Sequence, residues 1–177
     1  MQTLSTRQVY TNAWMSVRED RVRRGDGSSG IYSVVDKPDY ALIIPLDGDR
    51  VHLVEQYRYP VAARRWEFPA GTAPDRPDIE PAALAARELR EETGLVAGRL
   101  HLLGVLDVAP GMSAQRGRVF LATDIVAGHA EREHTEQDMH SAWFTLADLD
   151  GMLRSGEVCD AQSVAAYALF RLHERTG

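Results

Sequence analysis

The residues best suited to chemistry are three glutamates near the middle of the chain. Glu88, Glu91 and Glu92 lie in the stretch RELREETGL, residues 87–95. Residues three and four apart share one face of an α-helix, so on a helix these carboxylates would point the same way. Their like charges repel, and near a helix C-terminus they also oppose the helix dipole. Two interpretations follow: a solvated acidic face, or oxygen ligands for a hard divalent cation such as Mg²⁺.

The overall composition argues against several other classes of protein. The 177 residues carry a net charge of −6, which argues against nucleic acid or an anionic membrane as a partner. Cys159 is the single cysteine, so neither an internal disulfide nor a zinc finger can form. No stretch approaches the roughly 18 apolar residues of a membrane span, and the N-terminus has no apolar signal region. We therefore expect a cytoplasmic protein without nucleic-acid or membrane partners.

The elements that must position the glutamates form a mixed pattern of strands and helices. Strands are predicted throughout the first third of the chain, with a hairpin turn at 47–49. Pro81 suits the first turn of a helix and Gly94 suits its end, which predicts a helix from Pro81 to about Thr93. Further strands are predicted at 101–108, 117–123 and 141–144, and further helices at 146–154 and 161–174. The pattern predicts an α+β fold.

The predicted helix also has a face of small residues. Ala82, Ala86 and Leu89 cluster on one side at helical spacing, with Ala85 near the edge. A face made mostly of alanine would let the helix approach a sheet closely. We therefore expect this face to pack on the sheet and the glutamates to lie on another face.

The run 87–95 resembles the signature of the Nudix hydrolase family. That signature is a glycine, five residues, a glutamate, seven residues and then Arg-Glu-apolar-x-Glu-Glu-x-Gly-apolar, and its second half matches here at every fixed position. The first half departs from the pattern. Gly71 lies about two residues further from Arg87 than expected, and the glutamate position holds Ile79, with Glu80 beside it. We interpret this as a two-residue insertion in the intervening loop.

The resemblance has implications for the fold, the reaction and the assembly. It implies a single domain over residues 1–177, an α/β/α sandwich with a mixed β-sheet. Residues 1–40 would form an N-terminal antiparallel β extension, and residues 41–177 the catalytic core. The reaction would be hydrolysis of a nucleoside diphosphate linked to another moiety, with Mg²⁺ as cofactor and Mn²⁺ as the alternative. Because similar proteins commonly pair through their N-terminal strands, we expect a homodimer.

The resemblance also implies roles for the residues of the signature. Glu88 and Glu92 would ligate the metal, joined by the backbone carbonyl of Ala70. Glu91 would be a further ligand or a partner of the ligands, and Arg87 would orient the glutamates through a salt bridge. A pyrophosphate carries negative charge that must be neutralised before water can attack phosphorus, and Mg²⁺ can do this.

Three further stretches resemble one subgroup, the ADP-ribose pyrophosphatases and related nucleotide-sugar hydrolases. They are VEQYRYP at 54–60 followed by WEFPAG at 66–71, then APG at 109–111, and finally EHTEQDM at 133–139. The resemblance implies that a glutamate on the last stretch is a catalytic base or a late metal ligand. Glu136 is the best match, with Glu133 in reserve.

Three residues of the segments VEQYRYP and WEFPAG are candidates for substrate binding. Arg58 could contact phosphate, because a guanidinium group can donate two parallel hydrogen bonds, or it could be a surface charge. Glu67 could hold a ribose hydroxyl, a metal or water, and Trp66 could stack on a base or pack in the core. The subgroup commonly has an acidic residue near the position of Gln115, so we expect this substitution to change a metal or ribose contact.

The leading function is hydrolysis of ADP-ribose to AMP and ribose 5-phosphate. One alternative is another substrate of the same family, such as GDP-mannose, a dinucleotide or an oxidised nucleotide. A second is a non-catalytic sensor that binds a nucleotide sugar. A sensor would usually carry an added DNA-binding segment or a broken glutamate signature, and this sequence has neither.

Overall fold

The N-terminal residues form a three-stranded antiparallel sheet of their own. The computed structural model describes residues 1–76, 78–130 and 138–175. The strands of this first sheet are β1 (Gln2–Thr11), β2 (Ser16–Arg23) and β3 (Ser29–Asp36), in that order across the sheet. Every residue of β1 is exposed. The predicted antiparallel N-terminal extension is confirmed.

Two hydrogen bonds connect this sheet to a loop of the remaining chain. The Tyr32 hydroxyl donates to the carbonyl of Gly111 at 2.6 Å, and the Val35 amide donates to the carbonyl of Met112 at 2.8 Å. The loop at 109–113 therefore holds β3 against the part of the molecule that carries the larger sheet.

The larger sheet contains seven strands and is mixed. The strands are β4 (Tyr40–Asp47), β5 (Arg50–Arg58), β6 (Ala63–Glu67), β7 (Ala70–Thr72), β8 (Leu95–Asp107), β9 (Arg116–Ala127) and β10 (His140–Thr145). The order is β10-β5-β4-β9-β8, with β6 paired to β5 and β7 paired to β4. The pairing of β4 with β9 is parallel, and the other pairings are antiparallel.

Helices cover both faces of the larger sheet. They are α1 (Pro81–Thr93), α2 (Leu146–Ser155) and α3 (Ala161–Glu174). Alternate residues of β4 point to opposite faces, as strand geometry requires. Leu42 and Ile44 pack with residues of α2 and α3, whereas Ala41 and Ile43 pack with residues of α1. The α/β/α sandwich with a mixed sheet is confirmed.

The helix that carries the glutamates has the predicted ends. It begins at Pro81 and ends at Thr93, and Gly94 follows with φ of 74°. Glycine adopts a positive φ readily, because it has no Cβ to clash. The amide of Gly94 donates to the carbonyl of Arg90 at 2.8 Å and closes the last turn.

The predicted packing face of α1 is right for Leu89 and Ala85 but wrong for Ala82 and Ala86. Ala82 and Ala86 are exposed, and the buried apolar residues of α1 are Leu84, Ala85 and Leu89. The buried residues also include Glu88 and Glu92, so the glutamates belong to the sheet-facing side and not to the opposite side. A wheel drawn from apolar residues alone misplaced the face because it treated the carboxylates as solvated.

Candidate active site

Two of the three glutamates are buried against strand β7, which precedes α1. Glu92 is 1% exposed and Glu88 is 7% exposed. One carboxylate oxygen of Glu92 accepts a hydrogen bond from the amide of Ala70 at 3.2 Å. A Cβ added at Gly71 would overlap the carboxylate of Glu88, so only glycine leaves room for that group. The interpretation as a solvated acidic face is wrong for these two residues.

Arg87 pairs with the glutamates and also contacts the end of strand β7. Its guanidinium donates to Glu88 at 2.8 Å and to the carbonyl of Thr72 at 3.1 Å, and its Nε lies 3.4 Å from a carboxylate oxygen of Glu91. Burial disfavours its charge, but the hydrogen bond to Glu88 and the nearby carboxylates raise the pKa of Arg87. The arginine is therefore cationic, and Glu91 is turned toward it.

The donor atoms at this site suit a hard divalent cation. Among the residues that the structure describes, no three His, Cys, Asp or Glu side chains converge in metal-binding geometry. The predicted ligand set needs only two carboxylates, Glu88 and Glu92, and the carbonyl of Ala70. Carboxylate and carbonyl oxygens are the ligands that Mg²⁺ takes, and buried carboxylates are normally paired or bound to a metal. These residues fit such an ion in ligand type.

A cavity of about 630 Å³ opens beside the glutamates, next to Ala70 and Gly71. Its lining carries three cations and two carboxylates, which are Lys37, Arg58, Arg65, Glu67 and Asp160. Clefts of this size hold small molecules, and a few polar groups usually set their orientation. The excess of positive charge favours an anionic ligand.

Arg58 and Glu67 meet inside this cavity. The Nε of Arg58 lies 2.9 Å and 3.1 Å from the two carboxylate oxygens of Glu67, and a second guanidinium nitrogen also donates to Glu67. Glu67 is buried, and its hydrogen bond raises the pKa of Arg58. The pair fixes the plane of the guanidinium, as two parallel hydrogen bonds do.

Comparison with known proteins identifies the family. A family model described as the Nucleoside diphosphate sugar hydrolase N-terminal domain matches residues 1–35, and the NUDIX domain model matches residues 36–167. The chain belongs to the Nudix family. This membership confirms the resemblance of residues 87–95 and shows a pyrophosphohydrolase. Members of the family generally use a divalent metal ion.

Individual relatives of this Nudix chain cover most of its length. An ADP-ribose pyrophosphatase of Mycobacterium tuberculosis (strain ATCC 25618 / H37Rv) is 36% identical over 93% of this chain and 80% of that protein. An ADP-ribose pyrophosphatase of Bacillus subtilis (strain 168) is 27% identical over 97% of this chain and 93% of that protein. A crystal structure of an ADP compounds hydrolase superposes with a TM-score of 0.88 over 99% of this chain and 94% of that chain. Because the two sequences are 21% identical, this similarity shows only that the fold is shared.

Trp66 and Glu67 were both candidates for substrate binding in the Nudix site, but they are neighbours on one strand. Glu67 lines the cavity, whereas Trp66 is absent from its lining among the described residues. Trp66 packs edge-on against Phe144, with ring centroids 4.9 Å apart. Since successive side chains of a strand point to opposite faces, Arg65 lines the cavity together with Glu67. Strand alternation could have identified Arg65 from the sequence.

Glu136 and its reserve Glu133 lie outside the residues that the structure describes. The nearest described residue of that segment is Asp138. Its carboxylate accepts a hydrogen bond from Arg64 at 2.9 Å, and its carbonyl accepts another at 2.8 Å. The role of Glu136 stays a prediction.

The remaining departures from the family pattern have clear positions. Gln115 is buried, lines the cavity and donates to the carbonyl of Pro38 at 2.7 Å. A neutral amide suits this contact, because a carboxylate would face the carbonyl oxygen with no proton to donate. Glu80 is exposed at the N-cap of α1, and its side chain makes no capping hydrogen bond.

Two residues that the sequence did not single out also line the cavity. Tyr40 begins an apolar run and is 4% exposed, so it reads as a core residue. Asp160 caps α3, since its Oδ2 accepts from the amide of Ser163 at 2.8 Å. Helix-start signals could have identified Asp160 as a cap, but nothing local in the sequence indicates its place beside Tyr40.

None of the helices in the described residues is long and apolar enough to cross a membrane.

Proposed function

We propose that this Nudix hydrolase cleaves the pyrophosphate of ADP-ribose to give AMP and ribose 5-phosphate. The observation that carries the proposal is that the buried glutamates and the cavity share two residues, Ala70 and Gly71. The buried glutamates of α1 contact Ala70 and Gly71, and these two residues also line the cavity that holds the Arg58–Glu67 pair. A substrate with an anionic centre and a neutral sugar beside it suits this combination. The names of the two bacterial relatives support the same substrate.

The cofactor in this proposal is Mg²⁺, and Mn²⁺ is the alternative. Glu88, Glu92 and the carbonyl of Ala70 would hold it. When bound, such an ion neutralises charge on the pyrophosphate and lowers the pKa of a coordinated water. The amide of Ala70 and the guanidinium of Arg87 fix the directions of the two carboxylates through hydrogen bonds.

The other residues have separate tasks in the proposed reaction. Arg58 would bind a phosphate oxygen, and Glu67 would keep its guanidinium in a fixed plane. Arg87 and Glu91 would act through the ligands and not on the substrate. Glu136 would take the proton of the attacking water. Trp66 would pack against Phe144.

The assembly in this proposal is a homodimer built on the N-terminal sheet. Every residue of β1 is exposed, and the exposed side chains of the first sheet and of its β1–β2 turn include Tyr10, Ile31 and, in the turn, Trp14. Large exposed apolar residues on one small sheet favour an interface. Sedimentation should give twice the chain mass at micromolar concentration, and a monomer there would contradict the dimer. The cytoplasmic location stays a prediction.

A substrate panel tests the proposed reaction. ADP-ribose, GDP-mannose, UDP-glucose, NADH and diadenosine polyphosphates are assayed for phosphate-linked turnover with Mg²⁺, with Mn²⁺ and with EDTA. We expect ADP-ribose to give the highest kcat/KM and EDTA to abolish turnover. Preference for GDP-mannose or a dinucleotide would replace the substrate but keep the chemistry. Tight binding of a nucleotide sugar without any turnover would favour the sensor.

A further inference from the structure

Two polar atoms in the cavity have no protein partner. Among residues 1–76, 78–130 and 138–175, neither the Tyr40 hydroxyl nor Oδ1 of Asp160 makes a hydrogen bond. Both residues line the cavity, and Tyr40 is 4% exposed. Buried polar atoms are nearly always hydrogen-bonded, because leaving one unsatisfied is destabilising. These two atoms therefore keep unsatisfied hydrogen-bonding capacity beside the cavity.

The fold holds both side chains in place. Tyr40 pairs with Gly117 on the neighbouring parallel strand β9, and a Cβ at Gly117 would overlap the tyrosine ring and its hydroxyl. The other carboxylate oxygen of Asp160 is committed to the amide of Ser163 as the cap of α3. The Ser163 hydroxyl in turn accepts from the amide of Phe68 at 3.0 Å. The start of α3 is thus tied to the loop that follows Glu67.

The two atoms complement a hydroxyl group. The carboxylate oxygen of Asp160 only accepts hydrogen bonds, whereas the Tyr40 hydroxyl donates or accepts. Burial and the charge of Asp160 raise the pKa of Tyr40 to about 12, so the phenol keeps its proton near neutral pH. A ligand hydroxyl can donate to Asp160 and can accept from Tyr40, so the two atoms offer complementary partners to such a group.

The strand register indicates which part of the substrate reaches this pair. Ala70 pairs with Leu42, and Tyr40 lies two residues before Leu42 on β4, where it pairs with Thr72. Two residues of a strand span about 7 Å, which is the reach from a pyrophosphate to the sugar attached to it. On the adenosine side of the substrate, the base would lie beyond that sugar.

We propose that Tyr40 and Asp160 recognise a ribose hydroxyl of the nucleotide-sugar substrate. The inference rests on the proposed function, and it assigns a specificity role to two residues outside the family signature. In ADP-ribose a ribose flanks the pyrophosphate on each side, so the shared chemistry is a ribose hydroxyl, and the substrate analogues in the test distinguish the two sugars.

The test combines conservative variants with deoxy substrates. Asp160→Asn keeps the cap of α3, because asparagine caps as well as aspartate, but it can present an amide to the cavity. Tyr40→Phe removes only the hydroxyl. On ADP-ribose we expect kcat/KM to fall roughly tenfold or more for Asp160→Asn and about threefold to tenfold for Tyr40→Phe. Tyr167→Phe is the matched control, since its hydroxyl bonds Asp150 at 2.7 Å and not the cavity, and it should keep wild-type activity.

The deciding measurement is the coupling between variant and substrate. Two analogues are used, one deoxy in the terminal ribose and one deoxy in the adenosine ribose. On one of them the wild type should lose about the same factor in kcat/KM that Asp160→Asn loses on ADP-ribose. Asp160→Asn should lose nothing further on that analogue. The analogue that shows the coupling identifies the sugar. Losses that simply multiply on both analogues would overturn the proposal. So would coupling seen only with an altered base, for example with IDP-ribose.

The proposed function and this site can fail separately. If the wild type prefers another nucleotide sugar in the panel, the function is revised, and the same cycle is run on deoxy forms of that substrate. If the wild type hydrolyses no substrate of the panel, the site is tested by measuring the affinity for ADP-ribose by calorimetry. Equal affinities of the wild type and Asp160→Asn would then overturn the site.

Discussion

Two glycines make room for polar side chains at different parts of the candidate active site. Gly71 leaves space for the carboxylate of Glu88, and Gly117 leaves space for the hydroxyl of Tyr40. The first contact joins a strand to the helix that follows it, and hydrogen bonds from Arg87 support it. The second joins two parallel strands and depends on their register. One part of the site is therefore held by charge pairs and the other by close packing, and the two should respond differently to substitution.

The largest effect is expected at the charged part. Glu92→Gln keeps the size of the side chain and an oxygen that can accept from Ala70, but it removes the negative charge. We expect kcat to fall on the order of a hundredfold or more. Circular dichroism and the melting temperature should stay close to those of the wild type. Retained activity would exclude Glu92 as a metal ligand.

The next effect tests the first glycine. Gly71→Ala places a methyl group where the Glu88 carboxylate lies, so the carboxylate must move. Because small displacements of catalytic groups are costly, we expect a loss of roughly thirtyfold in kcat/KM, accompanied by a higher Mg²⁺ concentration for half-maximal activity.

Gly151→Ala is the control for this substitution. Gly151 lies in α2, and an added Cβ there meets nothing within 4 Å. Activity should be unchanged, since alanine favours a helix. If Gly71→Ala also keeps full activity at wild-type Mg²⁺ requirement, the close approach of Glu88 is not needed for the reaction.

The difference between the two parts also explains what the sequence could predict. The helix Pro81–Thr93 and its glutamates were predictable because proline, the three carboxylates and Gly94 are all local signals. The sandwich followed from the resemblance around those residues. Strands β8 and β9 were predicted too short, at 101–108 and 117–123. Gly98 and Asp124 interrupt the apolar pattern, but the pairing of the two strands continues past them to Leu95 and Ala127.

Tyr40 and Asp160 show why the cavity could not be predicted in the same way. Their positions are far apart in sequence, and each has an ordinary local explanation, as a core aromatic and as a helix cap. Their proximity depends on how α3 packs against β4. Trp66 shows the opposite case: the sequence left both base stacking and core packing open, and the alternation of strand β6 places the side chain against Phe144.

The smallest effect is expected at the second glycine, and it separates the two parts of the site most clearly. Gly117→Ala should displace the Tyr40 hydroxyl and lower kcat/KM for ADP-ribose about tenfold. A loss of that size is expected when one or two hydrogen bonds are removed. Because Glu88 and Glu92 are not touched, the Mg²⁺ concentration for half-maximal activity should stay at the wild-type value. Combining Gly117→Ala with Tyr40→Phe should add little to the loss, since both remove the same contact. A changed Mg²⁺ requirement in Gly117→Ala would mean that the two parts of the site are mechanically coupled through β4, and that the register of one strand sets both.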